Sequence, residues 1–146
     1  NDTRYRGAQI LVTGANFGCG SSREAAVWAL WDMGWRCIIA ESFGDIFRTN
    51  CFQNGLLPIT LDRPTLSALI AEVTAAGRPV MTIDLAASSI RTPGARVLPF
   101  DLTPERRTAL LEGLDEIDLA VRQLDDISTF LRLDREWRPW VYQLPR

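Results

Sequence analysis

Two serines, an arginine and a glutamate, Ser21-Ser22-Arg23-Glu24, follow the glycine-rich run Gly14-Ala15-Asn16-Phe17-Gly18-Cys19-Gly20. A short apolar segment, Ile10-Leu11-Val12-Thr13, precedes that run, and a helical pattern opens near Ser22. Strand, glycine turn and helix N-terminus in this order make an anion site, because unpaired backbone N–H groups and the positive end of the helix dipole converge there. The anion is either a phosphate, as in a dinucleotide enzyme, or a carboxylate, as in a hydroxy-acid enzyme. The Arg23 guanidinium offers a planar fork suited to a carboxylate. A serine in such a field loses its proton more easily than in water, since the alkoxide meets donors already in place. The same residues also read as a plain capping box, with Ser21 as N-cap and Glu24 as its reciprocal partner.

Residue types missing from the chain narrow the chemistry further. Among 146 residues there is no histidine, and all 16 basic residues are arginine. Histidine bases, lysine Schiff bases and the P-loop lysine are therefore excluded. Acid–base work falls to Ser, Cys, Tyr, Asp or Glu. The three cysteines, Cys19, Cys37 and Cys51, are odd in number and lack CxxC spacing, which argues for reduced thiols in a cytoplasmic protein and against an iron–sulfur ligand set. A net charge of −2 gives no basic footprint for nucleic acid or an anionic membrane. No apolar run approaches the ~20 residues of a membrane-spanning helix. Asn1-Asp2-Thr3-Arg4-Tyr5 carries no signal-peptide pattern and reads as the continuation of an upstream segment.

The elements that must hold the turn follow from spacing. Residues 9–13 predict a buried strand, 22–33 a helix ended by Gly34, and Cys37-Ile38-Ile39-Ala40 a second strand, so the connection between the strands is a parallel crossover. Ser42 and Asp45 predict a capping box for a short helix through Arg48. Asn54-Gly55 marks a turn, and residues 56–61 an edge strand because of Pro58. Leu66, Leu69, Ile70 and Val73 space a helix over 64–76, ending at Gly77. Residues 80–85 and 96–100 read as strands around a polar loop, Ser88 to Gly94. Thr103-Pro104-Glu105 starts another helix, and Ile117, Val121, Leu124, Ile127 and Leu131 mark one final amphipathic helix before an irregular tail at Trp137-Arg138-Pro139-Trp140. Trp28, Trp31 and Trp35 read as core residues, and Asp125 and Asp126 as a solvated helix face. The whole, residues 1–146, reads as a single α/β domain.

Thr13 to Gly20 matches TGxxxGxG, the cofactor loop of short-chain dehydrogenases. That family needs a Tyr-xxx-Lys pair, and here lysine is absent and the tyrosines are Tyr5 and Tyr142, near the termini. The residues after the loop point elsewhere. Asn16-Phe17-Gly18-Cys19-Gly20-Ser21-Ser22-Arg23-Glu24 resembles the signature of the small-subunit family of 3-isopropylmalate dehydratase, the swivelling domain of the aconitase superfamily. Residues 40–47, 50–59 and 111–117 and the final aromatic-proline segment match the same family collinearly.

The resemblance implies a swivelling β/β/α fold with a mainly parallel sheet flanked by helices. It implies a partner, the large subunit, which carries a [4Fe–4S] cluster, with no cofactor or metal on this chain. The pair would interconvert 2- and 3-isopropylmalate by dehydration and rehydration in leucine biosynthesis. By resemblance Ser21 is the catalytic base, and Ser22, Arg23, Asn16 and Gly20 bind the dicarboxylate substrate. Two departures accompany the match: Ala25 stands where the family continues with histidine, and the family's upstream substrate-selecting segment precedes residue 1. They keep open a related hydro-lyase acting on homoaconitate, citraconate or dimethylmalate, and a silent paralogue that only binds a large subunit.

Overall fold

The structure, a computed structural model, describes residues 5–77 and 79–143. Asn1 to Arg4, part of the segment without a signal pattern, lie outside the described residues. The chain divides into two compact units, Asn1–Gly113 and Leu114–Arg146.

The first unit is built on β1 (Ile10–Val12), β2 (Cys37–Ala40) and β3 (Leu57–Thr60), paired in parallel in that order. Helix α1 (Ala25–Asp32) connects β1 to β2, and α2 (Asp45–Gln53) connects β2 to β3, as parallel pairing requires. Every residue of the central strand β2 is buried, and its pleat sends alternate side chains into two different cores. Cys37 and Ile39 join Leu57, Ile59, Leu66, Leu69, Ile90 and Phe100. Ile38 joins Val27, Phe47, Cys51 and Leu56, packed with α1 and α2. Pro58 sits in β3, at the sheet edge, where its missing N–H costs no ladder bond. Gly34, at φ 95°, and Gly55, at φ 67°, occupy the left-handed turns their positions predict.

Helix α3 (Arg63–Ala75) leads to β4 (Thr82–Asp84), β5 (Ser89–Arg91) and β6 (Val97–Pro99), an antiparallel meander. Strand β5 lies inside the stretch expected to be a polar loop. Its one apolar residue, Ile90, is fully buried, and one apolar position in three is too short a pattern to announce a strand. Helix α4 (Pro104–Glu112) starts at Thr103, whose hydroxyl accepts the Arg106 amide.

The tryptophans depart from expectation. Trp28 is 52% exposed and Trp31 36%, while Trp35 packs against the second core. The helix ends at Asp32 and Gly34 reverses the chain, so Trp35 no longer shares a face with the other two. Trp31 lies under the Arg36 guanidinium, 3.7 Å from its ring centre, and Arg36 also donates to the Trp31 and Trp35 carbonyls.

In the second unit the expected single helix is two, α5 (Glu116–Val121) and α6 (Leu124–Trp137), followed by a 3-10 turn, Pro139–Tyr142, where an irregular tail was expected. Neither glycine nor proline marks the break at Arg122-Gln123, so no local signal announces it. Asp125 and Asp126 are exposed, as expected of a solvated face. Asp134, only 6% exposed, accepts from Arg138 Nε at 2.6 Å and from the Tyr142 hydroxyl at 2.7 Å. The Arg138 hydrogen bond, then that of Tyr142, holds the Asp134 carboxyl below its ordinary range, and Asp134 in turn pushes the Tyr142 hydroxyl up. The carboxylate's contribution is therefore complete above the ordinary aspartate range and fades as pH falls through the lowered folded value. Circular dichroism against pH should show Asp134→Asn less stable than wild type at neutrality, with the gap closing on acidification; a constant gap would remove this linkage.

Candidate functional site

The glycine turn begins where the sheet lets it go. Thr13 still donates to the Ile39 carbonyl at 2.9 Å, and from there the chain leaves β1 and is caught by the segment between β2 and α2. Phe17 is bonded on both sides across that gap: its amide donates to the Ser42 carbonyl at 3.0 Å, and its carbonyl accepts the Gly44 amide at 2.9 Å. Ser42 was expected to cap α2. Instead Gly44 occupies the N-cap position, and the Ser42 hydroxyl accepts the Asn16 amide at 2.8 Å while donating to Asn16 Oδ1 at 3.3 Å. This latch holds Asn16 at φ 56°, a left-handed conformation that asparagine tolerates better than most residues. Asn16 thus has its side-chain carbonyl committed to Ser42, leaving its side-chain amide toward solvent.

Packing fixes what the hydrogen bonds align. Phe17, Phe43 and Phe47 form an aromatic cluster, with Phe17 edge-on to Phe47 at 5.5 Å and to Phe43 at 6.4 Å. Gly18 lies against the Phe47 ring, and a methyl group at Gly44 would stand 2.9 Å from the Cys19 Cα. Both positions need glycine for close approach, and Gly18, at φ 77°, needs it for its backbone conformation as well. Gly20, by contrast, is open on all sides.

Beyond Gly20 the turn enters α1. The Ser21 amide donates to the Gly18 carbonyl at 3.3 Å, and the Ser21 hydroxyl accepts the Arg23 amide at 3.1 Å. The expected capping box is not made, because the Glu24 carboxylate turns away and accepts from Asn54 Nδ2 at 2.7 Å. Ser21 is half-buried, while Gly20, Ser22, Arg23 and Ala25 are exposed. The amides of Gly20 and Ser22 and the Arg23 guanidinium have no partner among the described residues. Unpaired amides at Gly20 and Ser22, the unpartnered Arg23 guanidinium and the half-buried Ser21 hydroxyl, already holding one backbone N–H, thus lie along one short stretch at the surface, a donor set of the kind that suits a carboxylate.

The structure brings Asn16, Gly20, Ser21, Ser22 and Arg23 into one turn. Sequence reasoning missed the residues that hold it: Ser42 and Gly44 on one side, Glu24 and Asn54 on the other. Ser42 and Asn54 lie in the stretches that carry the family resemblance, which was the one signal available.

Among the described residues no group of three or more His, Cys, Asp or Glu side chains is placed to hold a metal ion. Cys19 is exposed, whereas Cys37 and Cys51 are buried, and burial pushes their thiols up to about 12. All three thiols are free. No helix among the described residues is long and apolar enough to cross a membrane.

Comparison with known proteins identifies the family. The aconitase C-terminal domain family matches residues 1–64, which include the whole turn and α2. A 3-isopropylmalate dehydratase small subunit from Neisseria gonorrhoeae is 50% identical over 142 residues, covering 97% of this chain and 67% of the relative. One from Parvibaculum lavamentivorans is 48% identical over 141 residues, 97% of this chain and 70% of the relative. The crystal structure of a 3-isopropylmalate dehydratase from Methanocaldococcus jannaschii superposes with a TM-score of 0.59 at 29% identity, over 82% of this chain and 68% of that one. Fold and identity along nearly all of this chain agree, and the chain belongs to the small-subunit family of 3-isopropylmalate dehydratase, hydro-lyases of the aconitase superfamily.

Proposed function

We propose that this chain supplies the proton-transfer and carboxylate-binding half of an active site that interconverts 2- and 3-isopropylmalate in leucine biosynthesis, in the cytoplasm, together with a large subunit. The observation that carries the reading is the Ser21 hydroxyl, which accepts the Arg23 amide at 3.1 Å beside unpaired amides and a free guanidinium. Ser21, as alkoxide, takes the proton from the carbon next to a substrate carboxylate. The Arg23 amide, already in place, stays bonded to the oxygen as its charge changes, which lowers the cost of forming the base. The Arg23 guanidinium and the Ser22 hydroxyl bind that carboxylate, the Gly20 amide lies within the same turn, and the Asn16 side-chain amide adds a further donor at its rim. On rehydration the same serine returns the proton.

The [4Fe–4S] cluster belongs to the large subunit in this reading, and the cysteines of this chain do not fit it. None of the steps assigned here is routed through it. Co-expression with the cognate large subunit should give a complex that forms isopropylmaleate from either isopropylmalate isomer, followed by its ultraviolet absorbance. A complex that assembles, carries its cluster and leaves both isomers unchanged would overturn the reading. A second reading rests on Ala25, which places a bare methyl at the exposed first position of α1. If the chain is a silent paralogue, Ala25→His in the same complex should create turnover that the wild type lacks.

A further inference from the structure

Asn54 lies at the far end of α2, 33 positions beyond Ser21 in sequence, yet it is bound to the residue that follows Arg23. Its side chain makes three hydrogen bonds. Nδ2 donates to Glu24 Oε1 at 2.7 Å and to the Asn50 carbonyl at 2.8 Å, and Oδ1 accepts from Trp28 Nε1 at 2.9 Å. The orientation of the amide is fixed by chemistry: an indole N–H can only donate, and a carboxylate and a carbonyl can only accept. Asparagine is the side chain whose length and pattern of donors and acceptor meet all three at once. Through Glu24, the N-cap residue of α1, and Trp28 within it, the side chain ties the start of that helix to the C-terminus of α2.

The other end of α2 holds the other end of the turn. Ser42 and Gly44, just before α2, bind Asn16 and Phe17, and Phe47 in its first turn fills the space at Gly18. Residues 16–19 are thus fixed at the helix's N-terminal side and Glu24 at its C-terminal side, with Gly20 to Arg23 strung between.

We infer that Asn54 and Glu24 are positioning residues for the proton transfer: their hydrogen bond sets the angle at which Ser21 and Arg23 meet the substrate carboxylate. The inference rests on the serine-base reading. It differs from a capping role, because a cap would use Glu24 on its own helix, whereas here the carboxylate is spent on a neighbouring one. Asn54→Asp preserves volume and the acceptor for Trp28, but sets a second carboxylate against Glu24 and leaves the Asn50 carbonyl without its donor. Glu24→Gln keeps an acceptor for Asn54, and Glu24→Ala removes it.

Steady-state kinetics of the assembled two-subunit enzyme tests this. Asn54→Asp and Glu24→Ala should lower kcat about 10- to 100-fold, the scale of a misplacement near 1 Å, with thermal midpoints above the assay temperature. The limb of the pH–rate profile that belongs to the serine base should move to higher pH in both, since its alkoxide loses aligned donors. Glu24→Gln should stay within about twofold of wild type. Should Asn54→Asp not fold, Glu24→Ala, at an exposed carboxylate, carries the test alone. Folded Glu24→Ala with wild-type kcat and an unmoved pH limb, alongside an inactive Ser21→Ala, overturns the inference and spares the site reading. Full turnover in Ser21→Ala overturns both.

Discussion

Replacing Ser21 by alanine is expected to lower kcat of the assembled enzyme about 1,000-fold, within the range general-base removal commonly produces. The loss should fall on kcat, because the carboxylate-binding roles proposed for Ser22 and Arg23 do not depend on the Ser21 hydroxyl. Stability should hardly change: the Ser21 hydroxyl accepts one bond, from the Arg23 amide, at a half-buried position that water can reach. Arg23→Lys gives the complementary result. It keeps the charge but removes the planar fork, so KM should rise while the pH limb of the base stays in place. An enzyme that turns over normally without the Ser21 hydroxyl would send the search for the base to the partner chain.

The largest expected effect on stability is at Gly18. A methyl group there would stand 2.2 Å from Phe47 Cγ, and the backbone φ of 77° is one that alanine resists. Phe47 cannot step aside, since it is 2% exposed and packed edge-on against Phe17 at 5.5 Å. Overpacking and a strained backbone together should cost about 3 kcal/mol in Gly18→Ala, seen as a fall in thermal midpoint of about 10 °C. Gly20→Ala is the control: nothing lies within 4 Å of the added methyl, so the midpoint should stay near wild type. Equal midpoints for the two variants would mean that the turn does not depend on the seat at Phe47. Adding Phe47→Ala to Gly18→Ala should recover only the part of the loss that comes from the ring, because the Cβ at position 47 would still stand 2.7 Å from the added methyl.

The sequence shows which residues could do chemistry more clearly than it shows what holds them. Ser21 to Arg23 stand out because consecutive residues carry the signal, and a strand, a glycine run and a helix start can be read locally. Turns that depend on one residue are legible for the same reason, as Gly34, Gly55 and the Thr103 cap show. Contacts between distant residues are not. Ser42 with Asp45 looks like a capping box, and only the parallel pairing of β1 with β2 brings Ser42 to Asn16, 26 residues away. Glu24 misled in the same way, since the partner it takes is 30 residues on. Trp28 and Trp31 show a further limit: helical spacing says that residues share a face, not that the face is covered. The short strand β5 was hidden because one buried isoleucine cannot set a period.

The two-ended hold of α2 on the glycine turn bears on how two halves of an active site meet. A loop that samples many conformations gives up that freedom at each association, at roughly 1–2 kcal/mol for every residue newly fixed. Here the residues from Asn16 to Glu24 lose it once, when the chain folds. The encounter with a second chain then brings together surfaces whose shape on this side is already set, so more of the interaction energy is left for affinity and for holding the substrate in its reactive pose. Variants that loosen either clasp should therefore weaken assembly as well as slow the chemistry, although neither Ser42 nor Asn54 needs to touch the other subunit.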